Sequence, residues 1–349
     1  MLDIKDLLRH ASEKGASDLH ITQDMPPMLR IDGELHTTAF DILNREQTKK
    51  MVYGILNDKQ KVRFEENLEL DLSLYVPDLC RFRVNVHMQK GSVEAAFRVI
   101  PNTVQTVEKL GLPRIVSELA RLPNGLVLVT GPTGVGKSTT LASMVDQVNN
   151  ERHCHIISVE DPIEYVHQNK NSIVKQREVG IDTLSFSNAL KHALRQDPNV
   201  ILVGEMRDLE TISTAITAAE TGHLVLSTLH TPDAPQTIDR LIDIFPPHQQ
   251  EQIKVQLSGC FQGVICQQLL VRKDGRGRIP SCEIMTGTSA VRSLIREHKT
   301  EQLMTVIQTS GKHGMITMDK SIKKLYLDGL IDLETAHDKI KDKAEFEKL

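Results

Sequence analysis

LVLVTGPTGVGKSTT, Leu126 to Thr140, sets an apolar run directly before a glycine-rich loop that ends in lysine and hydroxyls. Its core, Gly131 to Ser138, fits G-x-x-x-x-G-K-S/T without a mismatch, and a strand before it and a helix after it supply the context the pattern requires. Phosphate oxygens need many short donors at once. Gly134 and Gly136 let main-chain N–H groups curl inward where a side chain would collide. Lys137 supplies a point charge to the β- and γ-phosphates, Ser138 is the expected Mg²⁺ ligand, and the helix from about Lys137 adds its partial positive charge. Gly131, Thr133 and Thr139 complete the expected nucleotide-binding set. A glycine loop that merely turned a strand into a helix would explain neither Lys137 nor Ser138, so the chain is expected to bind a nucleoside triphosphate.

Outward from this loop, short apolar runs alternate with helical patterns: LVLVT, a helix, IISVE, a helix at Ser185 to Arg195, VILVG, a helix to about Thr221, and HLVLSTLH. That rhythm predicts an α/β fold, a parallel sheet covered by helices on both faces. Residues after about Gly287 read as helices, with apolar spacing at Ala290, Leu294, Ile322, Leu325 and Tyr326. Ahead of the loop lies an α+β module. It opens with a short amphipathic helix carrying Leu2, Ile4, Leu7 and Leu8, followed by strands in SDLHIT and PMLRIDGELHTT, the latter a hairpin turning at Asp32-Gly33. A helical stretch is expected near Arg45 to Leu56. LELDLSLYV and CRFRVNVHMQ then alternate with period two, and VEAAFRVI returns after Lys90-Gly91-Ser92. Pro101, Gly111 and Pro113 punctuate an expected linker that leads into a helix around Arg114 to Ala120. The expected domains are 1–100, a linker at 101–115, and 116–349 with C-terminal helices from about 287.

Composition sets limits. A chain of 349 residues exceeds the comfortable size of one core, so two domains are the default. A formal charge of −4, with eight Phe, four Tyr and no Trp, argues against a nucleic-acid backbone as the main partner. The five cysteines, Cys80, Cys154, Cys260, Cys266 and Cys282, show no C-x-x-C spacing, and a reducing cytoplasm is the simplest setting. No apolar run approaches the roughly 20 residues of a membrane span, so any work at a membrane requires docking on something else there.

In an open parallel sheet ligands gather at the carboxyl ends of the strands, and three polar clusters follow the apolar runs. Glu160, Asp161 and Glu164 stand in VEDPIEYVH, Glu205 in VILVGEMRD, and His230 ends STLH. Hydrolysis needs one carboxylate at the metal and another to orient water, and Glu205 and Glu164 are the candidates. Asp161 could equally start a turn before Pro162, and Glu205 could be a helix-starting carboxylate. His223 and His230 flank one strand at an odd separation, so their side chains point to opposite faces. Arg81 and Arg83 share a strand face, with Arg98 across the hairpin from them. Either they form a salt-bridge lattice with Glu69, Asp71 or Glu94, or they clamp a triphosphate.

Together GPTGVGKSTT, VEDPIEYVH, VILVGEMRD and TAAETGHLVLSTLHT closely resemble, in order, the Walker A, Asp-box, Walker B and His-box elements of the PilT-type pilus retraction ATPases, within the secretion-ATPase superfamily. The Walker B element ends in Glu205 rather than the usual Asp. AVRSLIRE, Ala290 to Glu297, resembles the AIRNLIRE signature of the retraction branch, and the likeness runs nearly the whole chain. Val135, Val291 and Ser293 are mild departures. The longer N-terminal region and tetracysteine motif of assembly ATPases are not present in this sequence, which favours retraction.

The resemblance implies a cytoplasmic homohexamer of subunits with a PAS-like N-terminal domain and a RecA-like ATPase domain, binding ATP and Mg²⁺. It implies docking at the cytoplasmic face of the inner-membrane pilus platform protein, beside a second retraction ATPase in some settings, with no nucleic-acid partner and no membrane insertion. By position Glu164, Glu205, His223, His230, Arg81, Arg83 and Arg98 become the catalytic set, with Ser138 and Glu205 at the metal. Rival readings are a PilU-like accessory ATPase, a nucleotide-gated regulator with little turnover, and a DNA-handling ATPase. For AVRSLIRE, helical spacing predicts an apolar stripe of Ala290, Val291, Leu294 and Ile295, with Arg292 and Arg296 on another face, either merely solvated or, as the resemblance implies, on a helix that passes nucleotide-driven motion to the pilus machinery.

Overall fold

The computed structural model describes residues 3–31, 33–77, 79–100 and 103–346. Leu2, Asp32 of the expected hairpin turn and Pro101 of the expected linker lie outside them. The chain divides into two compact units, Met1–Thr103 with Glu164–Val166, and Val104–Ile163 with His167–Leu349.

The first unit is a six-stranded antiparallel sheet. Its strands are β1 (Asp18–Ile21), β2 (Met28–Ile31), β3 (Glu34–Thr37), β4 (Glu69–Tyr75), β5 (Arg81–Gln89) and β6 (Ser92–Ile100), in the order β3-β2-β1-β6-β5-β4. Lys90 and Gly91 both take positive φ, 47° and 79°, the conformation a two-residue turn between twisted strands demands. The amphipathic helix Ile4–Glu13 buries Ile4, Leu7, Leu8 and Ala11 in the same core as Leu19, Phe82, Val84 and Phe97. A helix at Arg45–Tyr53 is joined by a second at Asp58–Asn67, which the apolar spacing did not predict because Phe64 is its one buried side chain. Its sequence signal is a capping box: the Asn57 side chain accepts from the Gln60 N–H while Gln60 answers the Asn57 N–H.

The second unit is an α/β sheet of seven strands: β7 (Gly125–Thr130), β8 (His155–Glu160), β9 (Ile173–Glu178), β10 (Val200–Val203), β11 (Leu224–Leu229), β12 (Phe261–Val271) and β13 (Arg278–Thr286). Their order is β13-β12-β7-β11-β10-β8-β9, with every pairing parallel except β12 with β13. The apolar runs identify β7, β8, β10 and β11. β7, β10 and β11 are buried along their whole length, as strands covered on both faces must be. Outermost β9 reads Ile-Val-Lys-Gln-Arg-Glu and lacks that signal. At the other side β13 is bridged at Ile284 to Ile316, with hydrogen bonds of 2.8 and 3.1 Å, and the helix Met318–Leu327 follows. Part of the expected linker is packed: Val107 and Leu112 are buried among Val116, Leu119, Val127 and Val129.

The AVRSLIRE helix, Ser289–Arg296, departs from its predicted stripe. Val291 and Ile295 are fully buried, Leu294 is half-buried, and Ala290 is exposed. Arg292 is not merely solvated. Its guanidinium donates to the carbonyls of Gly287 (2.8 Å), Ser258 (3.0 Å) and Gly259 and to Gln262 Oε1 (3.1 Å). It thereby closes the C-terminal end of the helix Pro247–Cys260, where unpaired carbonyls favour a cation. Arg296 is exposed, as the spacing predicts.

Candidate nucleotide site

β7 delivers the chain into the glycine loop at the carboxyl edge of the sheet. Gly131 has φ 133°, and a Cβ there would stand 2.5 Å from the Gln267 carbonyl oxygen, so no larger residue fits. Gly136, at φ 87°, begins the helix Lys137–Glu151, and no side chain caps that helix. Its first-turn N–H groups and dipole suit a phosphate. The Lys137 side chain is buried in the loop, where Nζ donates to the carbonyls of Gly131 (2.8 Å) and Pro132 (2.9 Å). Thr133 and Gly134 are exposed on the loop, while Ser138 and Thr139 are half-buried in the first turn.

Sequence reasoning missed the residue beneath this loop. Gln267, buried on β12, donates from Nε2 to the Val135 carbonyl at 2.8 Å and accepts at Oε1 from Thr140 Oγ1 at 2.8 Å. One amide thus joins strand, loop and helix. It lies far along the chain from the loop, and only the parallel pairing of β12 with β7 brings it there.

Of the expected acids, Glu205 follows β10 and Gly204. Its carboxylate lies 2.7 Å from Arg207 Nε and 3.6 Å from His230 Nε2, so two residues predicted separately meet past the ends of neighbouring strands. Arg207, in the same GEMRD stretch, was not singled out by the sequence. Glu160, ending β8, is buried and accepts from Ser158 Oγ (2.6 Å) and Gln176 Nε2 (3.1 Å). The Asp161–Pro162 peptide that follows is cis. Glu164 is exposed and groups with the first unit. His223 precedes β11 at its other end, about 20 Å of strand from His230. Its Nδ1 lies 2.9 Å from the Ala218 carbonyl, where it must donate, so it closes the helix Leu209–Glu220.

In the first unit Arg83 and Arg98 are direct cross-strand partners, with Arg81 two residues along. The salt-bridge lattice drawn from sequence is replaced by other pairings. Arg98 Nε binds Asp18 Oδ1 at 2.9 Å, and Arg81 Nε donates to Ser73 Oγ. Asp71 instead accepts from Asn85 and Glu94 from the Gln23 N–H. Among the described residues Arg83 has no side-chain partner and is exposed.

His167, at the end of VEDPIEYVH, is buried with Nδ1 unbonded, and burial pushes its pKa from 6.5 down to about 4, Asp146 opposing only in part. The unfolded chain therefore takes up this proton first. Folding stability should be whole above pH 6.5 and fall as pH drops toward 4, by about 3 kcal/mol from this group. Urea melts at pH 7 and pH 4.5 check this: His167→Leu should remove most of the difference that the parent chain shows. An equal pH loss in both chains would assign it elsewhere.

A strand, a glycine loop holding a buried lysine, an uncapped helix start and an acid past another strand of the same sheet define a P-loop nucleotide-binding domain of the α/β class. Comparison with known proteins extends this. The type II/IV secretion system protein family matches residues 1–313. The type IV pilus retractation ATPase PilT of Pseudomonas aeruginosa is 51% identical over 97% of this chain and 98% of its own. The type IV pilus ATPase PilU of the same organism is 41% identical over 96% of this chain and 88% of its own. A crystal structure of the pilus retraction motor PilT with bound ADP superposes with a TM-score of 0.93 at 49% identity, covering all of both chains. The chain belongs to the type II/IV secretion system protein family. Among the described residues no helix is long and apolar enough to cross a membrane.

Proposed function

We infer that this chain is an ATPase motor that powers type IV pilus retraction, the movement behind twitching. The observation that carries the reading is an intact P-loop, with its lysine, hydroxyls and strand-end acid, in a chain half identical to a retraction ATPase from end to end. The greater likeness to PilT than to PilU favours the principal motor over the accessory one.

The proposed roles follow from the residues. Loop N–H groups and Lys137 bind the β- and γ-phosphates, and Ser138 and Glu205 are the residues suited to hold Mg²⁺. A bound Mg²⁺ supplies charge neutralisation at the phosphate oxygens. Glu164 is proposed to orient the attacking water. His230, beside Glu205, is proposed to link that acid to the following segment, while His223 serves its own helix. Arg81, Arg83 and Arg98 are proposed to stabilise phosphoryl-transfer charge, because guanidiniums gathered on one face favour an anion. The working assembly is proposed to be a homohexamer, cytoplasmic and held at the inner membrane by the pilus platform protein.

Deleting the gene in its own host tests the function. Excess surface pili without movement is expected, and loss of pili would instead mark an assembly ATPase. Restoring the gene with Arg83→Ala should give slow turnover at an unchanged melting temperature. Wild-type turnover would withdraw the arginine role.

A further inference from the structure

We propose that Gln267 is a positioning residue for the nucleotide's phosphates, fixing the Val135–Gly136 peptide so that the Gly136 N–H faces away from β12. The proposal rests on the ATPase reading above. In a trans peptide the C=O and the following N–H point to opposite sides. Gln267 Nε2 holds the Val135 carbonyl from the strand side at 2.8 Å, so the Gly136 N–H is aimed at the opposite face of the loop. That face is where a phosphate-binding loop must gather its donors.

The amide cannot serve this end alone, because a free primary amide could flip and present oxygen to the carbonyl. Thr140 settles its direction. Its Oγ1 donates to Gln267 Oε1 at 2.8 Å, leaving the nitrogen to meet Val135. Thr140 stands one turn into the helix Lys137–Glu151, so the same side chain ties the loop to the helix whose start carries Lys137 and Ser138. The contact is close by construction. A Cβ on Gly136 would stand 3.1 Å from Gln267 Nε2, and one on Gly131 only 2.5 Å from the Gln267 carbonyl. Two glycines of the motif therefore let β12 approach, in addition to leaving room for phosphate. The side chains of Gln267 and Thr140 are buried, so water does not replace either bond when one is lost.

The test uses the full chain with Gln267→Met, which keeps length and removes both bonds. ADP affinity by calorimetry and kcat/KM for ATP should each fall roughly tenfold, while the melting temperature without nucleotide moves by only a few degrees. Thr140→Val, which frees the amide to flip, should lose affinity in the same direction, and Thr140→Ser should lose less than Thr140→Val. A lower melting temperature with ADP affinity unchanged would make Gln267 a purely structural residue and overturn the proposal. If Gln267→Met does not fold, Thr140→Val decides, and unchanged ADP affinity there overturns it equally. A parent chain that binds ADP but never turns over ATP would sink the ATPase reading. The role of Gln267 would still be judged on ADP affinity.

Discussion

Lys137→Ala is expected to weaken nucleotide binding by more than about a hundredfold, the largest single effect on affinity in the chain. The ammonium is buried at the start of the helix and already sheltered from water by the loop. Charge-assisted bonds to phosphate in such a place contribute about 3 kcal/mol, and alanine offers no replacement donor. The substitution also frees the carbonyls of Gly131 and Pro132, which now accept from Nζ. A thermal melt without nucleotide separates that local cost from the loss of binding. Calorimetry with ADP on the folded variant is the check. An affinity within tenfold of the parent would mean that loop N–H groups dominate binding and that the lysine acts later.

The second large effect is the reverse in kind. Glu205→Gln should leave ADP affinity within a few-fold while lowering single-turnover phosphate release by roughly a thousandfold, the scale lost when a preorganised charge at the transition state is removed. The carboxylate meets Arg207 and His230, both largely on the solvent side, so glutamine can retain part of this geometry without the charge. Equal losses of affinity and rate would place Glu205 in ground-state binding and remove the division of labour between it and Lys137.

The loop was legible because its chemistry is written in consecutive residues: glycines for the backbone, a lysine and a serine at fixed offsets. The buried runs at β7, β10 and β11 were legible for a similar reason, since a strand covered on both faces has no solvent-facing positions and is mostly apolar. Gln267 was not legible. A polar residue in an apolar strand acquires meaning only when the register with β7 is known. Arginine partners failed in the same way. Arg98 pairs with Asp18 because β1 lies beside β6, a pairing between segments 80 residues apart that hairpin reasoning on β4 to β6 omits. Arg292 was misread because periodicity sorts side chains by face and is blind to the three carbonyls that a long guanidinium can reach.

The two outer strands of the seven-stranded sheet bear on how copies of this protein avoid joining edge to edge. A bare strand edge is a template for another chain, and the hazard grows when many copies are held close together. β9 carries Lys175 and Arg177, charges of the kind that discourage a new strand from adding there. β13 is already engaged at Ile284 by the Ile316 bridge. In the proposed hexamer, copies of the chain would therefore stand close together with little tendency to join through these two sheet edges.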